Sequence, residues 1–204
     1  MKLSDITAEW CIARTLGVEA GYVNDPKDSG GETCCGVTKA VALENAALLK
    51  SMGWDGDMRH ITPKMATALF KVKYWDKIRG DDLIKVHPLI AQRLFDFGVN
   101  AGTGSAGLYI QQVLNVLNRE GKDYADIAED GGIGNGTITA LKAFAAKNGP
   151  KGVLYFLTTI CGEHSHHYVS ISQKNSKNER FTNGWEIRLF EDYTLYAKLL
   201  LGVA

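Results

Sequence analysis

Apolar residues recur along the chain mainly at helical spacing. Thr62 and Pro63 predict a helix start, with the threonine as amino-terminal cap and the proline in the first turn. Met65, Leu69, Val72 and Trp75 follow at i, i+4, i+7 and i+10, which predicts one apolar stripe facing a core. Similar apolar spacing predicts five further helices. One follows Pro88 and includes Leu89, Ile90, Leu94 and Phe97; the next includes Leu108, Ile110, Val113, Leu114 and Leu117. The others include Ile138, Leu141 and Phe144, then Leu154 to Ile160, and finally a stripe from about Trp185 to Leu201 with Ile187 and Phe190.

Strand signals are weak, and loop signals divide the chain. The β-like candidates lie near Tyr22–Val23 and near Gly36–Thr38, so we expect a small hairpin at most. Glycine and asparagine cluster at 99–107, which indicates an internal boundary, and the polar run 171–184 predicts a loop before the last helix. The expected fold is therefore mainly α, with lobes at 1–98 and 99–204.

Composition and charge narrow the class of protein. The chain has 204 residues, of which 45% are hydrophobic, and this excludes general disorder. Its 23 basic and 23 acidic residues give no net charge, with 13 of each in residues 1–100, so we expect no nucleic-acid partner. No apolar run approaches the roughly 18 residues of a membrane helix, so no stable membrane association is expected. We expect free cysteines and a monomer.

The amino-terminal residues do not resemble a secretory signal. Asp5, Glu9 and Arg14 interrupt any apolar core that such a signal needs. We therefore expect a protein that is made in the cytosol and needs another factor to cross the membrane.

Residues 17–38 form the segment that indicates chemistry. Glu19 follows a short predicted helix, and the helix dipole at that end raises the pKa of a carboxyl group, as a general acid requires. Glycines, a proline and short polar residues follow, which predicts a tight loop or hairpin. Glycoside hydrolysis needs a second group that handles water, and Asp28 is the candidate, with the Thr33 hydroxyl helping to hold the water. Asp25 and Glu32 compete with Asp28 for this role.

This segment carries a family resemblance. The run EAGYVNDPKDSGGETCCGVT resembles the signature of the glycoside hydrolase 108 family, which are lysozymes that degrade peptidoglycan. The matching positions are Glu19, Gly21, Tyr22, Pro26, Asp28, Gly30, Gly31, Thr33, Gly36 and Thr38; Ala20 and Val37 replace a glycine and an isoleucine. The resemblance implies a lysozyme-like helical fold with a small loop or hairpin at the active site. It also implies that Glu19 is the catalytic acid. The order Glu19, Asp28, Thr33 is similar to that of phage-type lysozymes, with one residue fewer before the threonine.

Three later motifs extend the resemblance along the chain. Residues 95–102 (FDFGVNAG) are similar to the element that closes the family's catalytic region, so Asp96 and Asn100, together with Tyr22, are the candidate substrate-binding residues. Residues 110–115, 130–137 and 183–188 resemble a helical peptidoglycan-binding module. A structural role for Asp28, Thr33, Asp96 and Asn100 stays open, since short polar residues also stabilise turns.

Together these features imply a muramidase that cleaves the β-1,4 bond between N-acetylmuramic acid and N-acetylglucosamine in bacterial peptidoglycan. Glu19 protonates the leaving oxygen, Asp28 and Thr33 position or activate water, and the chemistry is inverting. No metal or cofactor is expected. A phage endolysin that waits in the host cytoplasm until a holin opens the membrane is the implied setting. Two alternatives remain: an inactive wall-binding or phage structural module, and a metal-dependent peptidoglycan amidase or peptidase using the cluster Glu163–His167.

Overall fold

The amino-terminal half combines short helices with a small sheet. The computed structural model of the chain describes residues 1–17, 21–24 and 31–202. The elements of this half are α1 (Ala8–Leu16), β1 (Thr33–Cys34), β2 (Val37–Thr38), α2 (Lys39–Glu44), α3 (Ala46–Ser51), α4 (Pro63–Phe70), a π-helical turn (Lys71–Trp75), α5 (Gly80–Val86) and α6 (Pro88–Ala101), with 3₁₀ turns at Leu3–Asp5 and Met58–His60.

Threonine caps define where three of these helices begin. The hydroxyls of Thr7, Thr38 and Thr62 accept hydrogen bonds from backbone amides in the first turns of α1, α2 and α4. The predicted start at Thr62 and Pro63 is thereby confirmed. Leu89, Ile90, Leu94 and Phe97 of α6 are all fully buried, as their spacing predicts.

The carboxyl-terminal half is built from three long helices, α7 (Thr103–Leu117), α8 (Asn135–Lys174) and α9 (Glu179–Leu201), with a 3₁₀ turn at Ser176–Asn178 between α8 and α9. α8 consists of two helical segments, because Gly149 has non-helical torsions and Pro150 follows it. The mainly α, lysozyme-like fold with a carboxyl-terminal helical lobe is confirmed. The division after residue 98 stays a prediction; α6 itself continues to Ala101.

A small hairpin is present, as expected, but its first strand is Thr33–Cys34 rather than the candidate near Tyr22–Val23. β1 pairs with β2 in antiparallel register, Thr33 opposite Thr38 and Cys34 opposite Val37. An isolated bridge between Val23 and Thr33 extends it. All four cysteines are free, as expected. No helix in the described ranges is long and apolar enough to cross a membrane.

The polar run 171–184 is not the loop that its composition predicts. α8 continues to Lys174, and α9 begins at Glu179, before the expected start near Trp185. The Ser172 and Thr182 hydroxyls contact each other across the junction at 2.5 Å, and the Asn175 side chain accepts a hydrogen bond from the backbone of Lys177. These contacts satisfy the polar groups locally, so a polar sequence forms a tight helical corner.

Three apolar positions face solvent rather than the core. Val72 is exposed although Met65, Leu69 and Trp75 of its stripe are buried, because the chain becomes π-helical after Phe70 and the rotation per residue changes. Ile187 and Phe190 of α9 are also exposed. α9 buries Leu189, Asp192 and Tyr196 instead, so a neighbouring face, which includes a charged residue, packs on the core.

Close backbone approach joins α7 to the turn before α8. A Cβ atom on Gly107 would lie 1.9 Å from the carbonyl oxygen of Gly131, so only glycine fits there. The Gln111 amide of α7 donates to Asp130 Oδ1 at 2.8 Å and to the carbonyl of Gly132 at 2.9 Å. Asp130 is thus a structural turn residue, and the glycines of α7 allow the turn to pack directly on the helix.

Replacement of Gly107 by alanine is expected to destabilise the fold. The added methyl group must push the backbone of Gly131 away, and such overpacking costs about 1–3 kcal/mol in the free energy of unfolding. Urea denaturation followed by circular dichroism measures the change.

Gly104→Ala is the matched control on the same helix. A Cβ at Gly104 has no neighbour within 4 Å, so this variant should be neutral or slightly more stable. Equal stability of the two variants would contradict the close packing of α7 on the turn.

Candidate active site

The end of α1 meets the turn of the hairpin. Leu16 is buried, and α1 is closed by Gly17 in the left-handed conformation. A Cβ atom on Gly36, which has a φ of 76°, would lie 2.9 Å from both the carbonyl oxygen and the side chain of Leu16. The backbone of the hairpin turn at Gly36 therefore packs directly against Leu16 at the end of α1. Glu19 follows Gly17 by two positions in the sequence, and residues 18–20 lie outside the described residues.

Val23 and Thr33 pair with each other at the two ends of the sequence segment that includes Asp28. The backbones of Val23 and Thr33 exchange two hydrogen bonds, both of 2.8 Å, so the chain leaves and returns at the same point. Asp28 and the competing Asp25 belong to residues 25–30, which lie outside the described residues. The Thr33 hydroxyl donates to the carbonyl of Gly31 at 3.3 Å. A role for Thr33 in holding water stays a prediction.

Tyr22 lies on a polar pocket beside the hairpin. Its hydroxyl donates to Glu32 Oε1 at 3.0 Å, and Lys39 Nζ lies 2.7 Å from Glu32 Oε2. Asp57 and Arg59, which are joined by an ion pair, line the other side of this pocket of about 450 Å³, together with Gly56 and Met58. Closely spaced donors and acceptors of this kind suit hydrogen bonds to sugar hydroxyls or amides.

The charge of the Glu32 carboxylate, which competes with Asp28 for the water-handling role, is compensated within the pocket. The Lys39 ammonium and then the Tyr22 hydroxyl lower the pKa of the Glu32 carboxyl, because both stabilise its charged form. The same hydrogen bond raises the pKa of Tyr22. Of the carboxyl groups weighed from the sequence, Glu32 is thus engaged in holding the pocket.

Asp96 and Asn100 lie one turn apart on α6. Asp96 is only 1% exposed and pairs with Arg93 on the same helix. The Asn100 side chain lies at the surface, and its amide donates to the backbone carbonyl of Asp96 at 2.7 Å and to Asp96 Oδ2 at 3.4 Å. Asp96 also borders a small polar cavity of about 170 Å³. Contact of either residue with substrate stays a prediction.

A buried ion network surrounds Asp96, and the sequence reading missed it. Arg93 is fully buried, and its Nη1 donates to Asp192 Oδ2 at 2.9 Å. Arg14 of α1 donates through Nε to Asp192 Oδ1 at 2.8 Å, and Arg188 Nη2 lies 3.7 Å from Asp96 Oδ2. Although burial disfavours its charge, Asp96 and other acidic neighbours raise the pKa of Arg93 well above the ordinary value. The sequence does show charged residues on the apolar faces of α6 and α9. It does not show that Arg93 pairs with Asp192, because the two residues are 99 positions apart.

His164 belongs to this network rather than to a separate cluster. Its ring stacks on Phe97 at 4.1 Å between centroids and lies tilted against Tyr168 at 4.4 Å, and its Nδ1 lies 3.1 Å from Arg93 Nη2. Burial, and then the charges of Arg93 and Arg188, lower the pKa of His164 strongly, so the ring is neutral. Within the part of the chain that the structure describes, no group of three His, Cys, Asp or Glu side chains could hold a metal ion.

Comparisons with known proteins agree with the order of these elements. Residues 12–102 match the family model described as glycosyl hydrolase 108, and residues 105–190 match the one described as predicted peptidoglycan domain. No curated protein matches the chain. A solved structure, that of SagA from Brucella abortus, is similar with a TM-score of 0.66 and 22% identity, over 95% of each chain. This likeness shows a shared fold. Residues 12–102 thus form a glycosyl hydrolase 108 domain, and together with the peptidoglycan domain that follows they indicate a glycoside hydrolase acting on peptidoglycan.

Proposed function

We propose that the chain is a muramidase that hydrolyses the β-1,4 bond between N-acetylmuramic acid and N-acetylglucosamine, with Glu19 as the general acid. The observation that carries this proposal is the close contact between Leu16 and Gly36. A Cβ atom added to Gly36 would lie only 2.9 Å from the Leu16 carbonyl oxygen. This contact places Gly36, a residue of the family signature, against the last residue of α1, which precedes Glu19 by three positions in the sequence. The resemblance assigns the role of general acid to Glu19.

The proposed reaction divides the work between two groups. Glu19 donates its proton to the glycosidic oxygen as the bond to the muramic acid carbon breaks and positive charge develops on the sugar ring. Water attacks that carbon, and Asp28 takes a proton from the water, with Thr33 helping to hold it. The polar pocket of Tyr22, Glu32, Lys39, Asp57 and Arg59 supports the proposal because it offers hydrogen bonds for the glycan beside the hairpin.

Replacement of Glu19 by glutamine is expected to abolish glycan cleavage. An amide cannot donate the proton that the leaving oxygen needs, and loss of a general acid lowers kcat by about 10²–10⁴-fold. Mass spectrometry of digested peptidoglycan measures the new muramic acid reducing ends, which should appear with the wild type and be lost in the variant.

Glu9→Gln is the matched control, since Glu9 is exposed in the first turn of α1. This variant should retain full activity, and the wild type should retain activity in EDTA. Released peptides with intact glycan strands, or inhibition by the chelator, would instead favour the metal-dependent amidase.

The proposed role of Asp28 predicts inversion at the anomeric carbon. Water that attacks from the face opposite the leaving oxygen converts the β-bond into an α-product, because no glycosyl–enzyme intermediate forms. Proton NMR during the first minutes of digestion should show the α-anomer before mutarotation. An initial β-product would rule out water activation by Asp28.

We also propose that the enzyme serves as a phage endolysin. The order of Glu19, Asp28 and Thr33, which is similar to that of phage-type lysozymes, supports this setting. Such an enzyme waits in the host cytoplasm and reaches the wall after a holin opens the membrane.

Cytoplasmic expression in a bacterial host should then leave cells intact until a holin is co-expressed. The substrate lies beyond the inner membrane, so a fall in culture turbidity is expected only with the holin. The Glu19→Gln variant with the same holin is the control. Rapid lysis without holin would contradict this route.

A further inference from the structure

The cavity of about 170 Å³ beside Asp96 lies where the two halves of the chain meet. It is lined by Arg14 of α1, Gln92 and Asp96 of α6, and Arg188, Glu191 and Asp192 of α9. Three helices therefore contribute charged side chains to one partly open site, which lies outside the segment of residues 17–38.

Asp192 is the residue that joins these helices. Its Oδ1 accepts Nε of Arg14 at 2.8 Å and lies 2.6 Å from Nη2 of the same guanidinium. Its Oδ2 accepts Nη1 of Arg93 at 2.9 Å. The Asp192 side chain is only 2% exposed, and two nitrogens of the planar Arg14 guanidinium converge on its Oδ1, so the contact restricts direction as well as distance. A single carboxylate on α9 thus holds both α1 and α6.

Arg14 lies at the end of α1 that leads to Glu19 in the sequence. It lies in the last turn of the helix, three positions before Gly17 and five before Glu19. The rest of α1 is held by apolar contacts, since Cys11, Ile12 and Leu16 pack into the core. Apolar contacts are not directional, whereas the contact of Arg14 with Asp192 restricts the rotation and the axial position of this last turn.

We propose that Asp192 is a positioning residue for the hydrolase: through Arg14 it fixes the end of α1, from which the chain leads to Glu19. The catalytic consequence rests on the proposed function of Glu19. α9 lies in the half that resembles a wall-binding domain, but in this proposal it also helps to position the catalytic acid of the other half. Because misplacement of a catalytic group by about 1 Å can cost about 100-fold in rate, loosening this contact should lower kcat.

Arg14→Gln is the principal test, because it releases α1 while leaving the buried pair of Arg93 and Asp192 intact. We expect kcat on peptidoglycan to fall about tenfold or more with KM within about twofold, since substrate contacts are unchanged. Backbone amides of residues 12–17 should exchange their hydrogens faster by mass spectrometry. Glu191→Gln, an exposed neighbour on the same cavity, should match the wild type in both readouts.

Chemical rescue separates positioning from general destabilisation. In Arg14→Ala, ethylguanidinium at millimolar concentration can enter the opened cavity and pair with Asp192. It should restore a substantial part of kcat in this variant and leave Glu191→Gln unaffected. A structural defect elsewhere in α1 would not respond to an added guanidinium.

The outcomes that overturn the proposal are distinct from failure of the proposed function. Unchanged kcat and unchanged exchange in Arg14→Gln would overturn it, as would a raised KM at constant kcat, or no rescue of Arg14→Ala. If the wild type releases no reducing ends, the muramidase proposal fails. Hydrogen exchange at residues 12–17 then still decides whether Asp192 fixes the end of α1.

Discussion

The fold depends on the charge of one buried guanidinium. Arg93 is fully buried on α6, and a cation removed from water is very costly unless opposite charges and hydrogen bonds compensate. Asp96 supplies one counter-charge from the same helix, and Asp192 supplies the other from α9. The second of these fixes how the last helix lies against the first half of the chain. Since Asp192 also binds Arg14, the alignment of α1 depends on the same charge balance.

Most helices could be predicted because their information is local. Thr62 and Pro63 mark the start of α4, and the apolar face of α6 is buried as its spacing requires. The corner between α8 and α9 could not be predicted, because its polar residues are satisfied by contacts such as that of Ser172 with Thr182. The sequence shows that this segment contains many polar side chains. Only the folded structure shows that these side chains form hydrogen bonds within the corner.

The candidate site divides in the same way. The place of Glu19 after a short helix, and a hairpin following it, were both visible in the spacing of residues. The polar pocket was not, because Tyr22, Lys39 and Arg59 come from separate segments that meet only in three dimensions. The buried ion network around Arg93 could not be predicted for a related reason. A charge on an apolar face signals an unseen partner, but the distance from Arg93 to Asp192 in the sequence hides which residue that is.

Asp192 lies just beyond residue 190, where the match to the peptidoglycan domain ends. In this architecture an exchanged carboxyl-terminal half would bring its own residue opposite Arg14 and Arg93, and a neutral or basic one would leave Arg93 without its second counter-charge. Inheritance should therefore keep the two halves together, and chimaeras between relatives should survive only when the acidic residue on the last helix travels with the arginines of the first half.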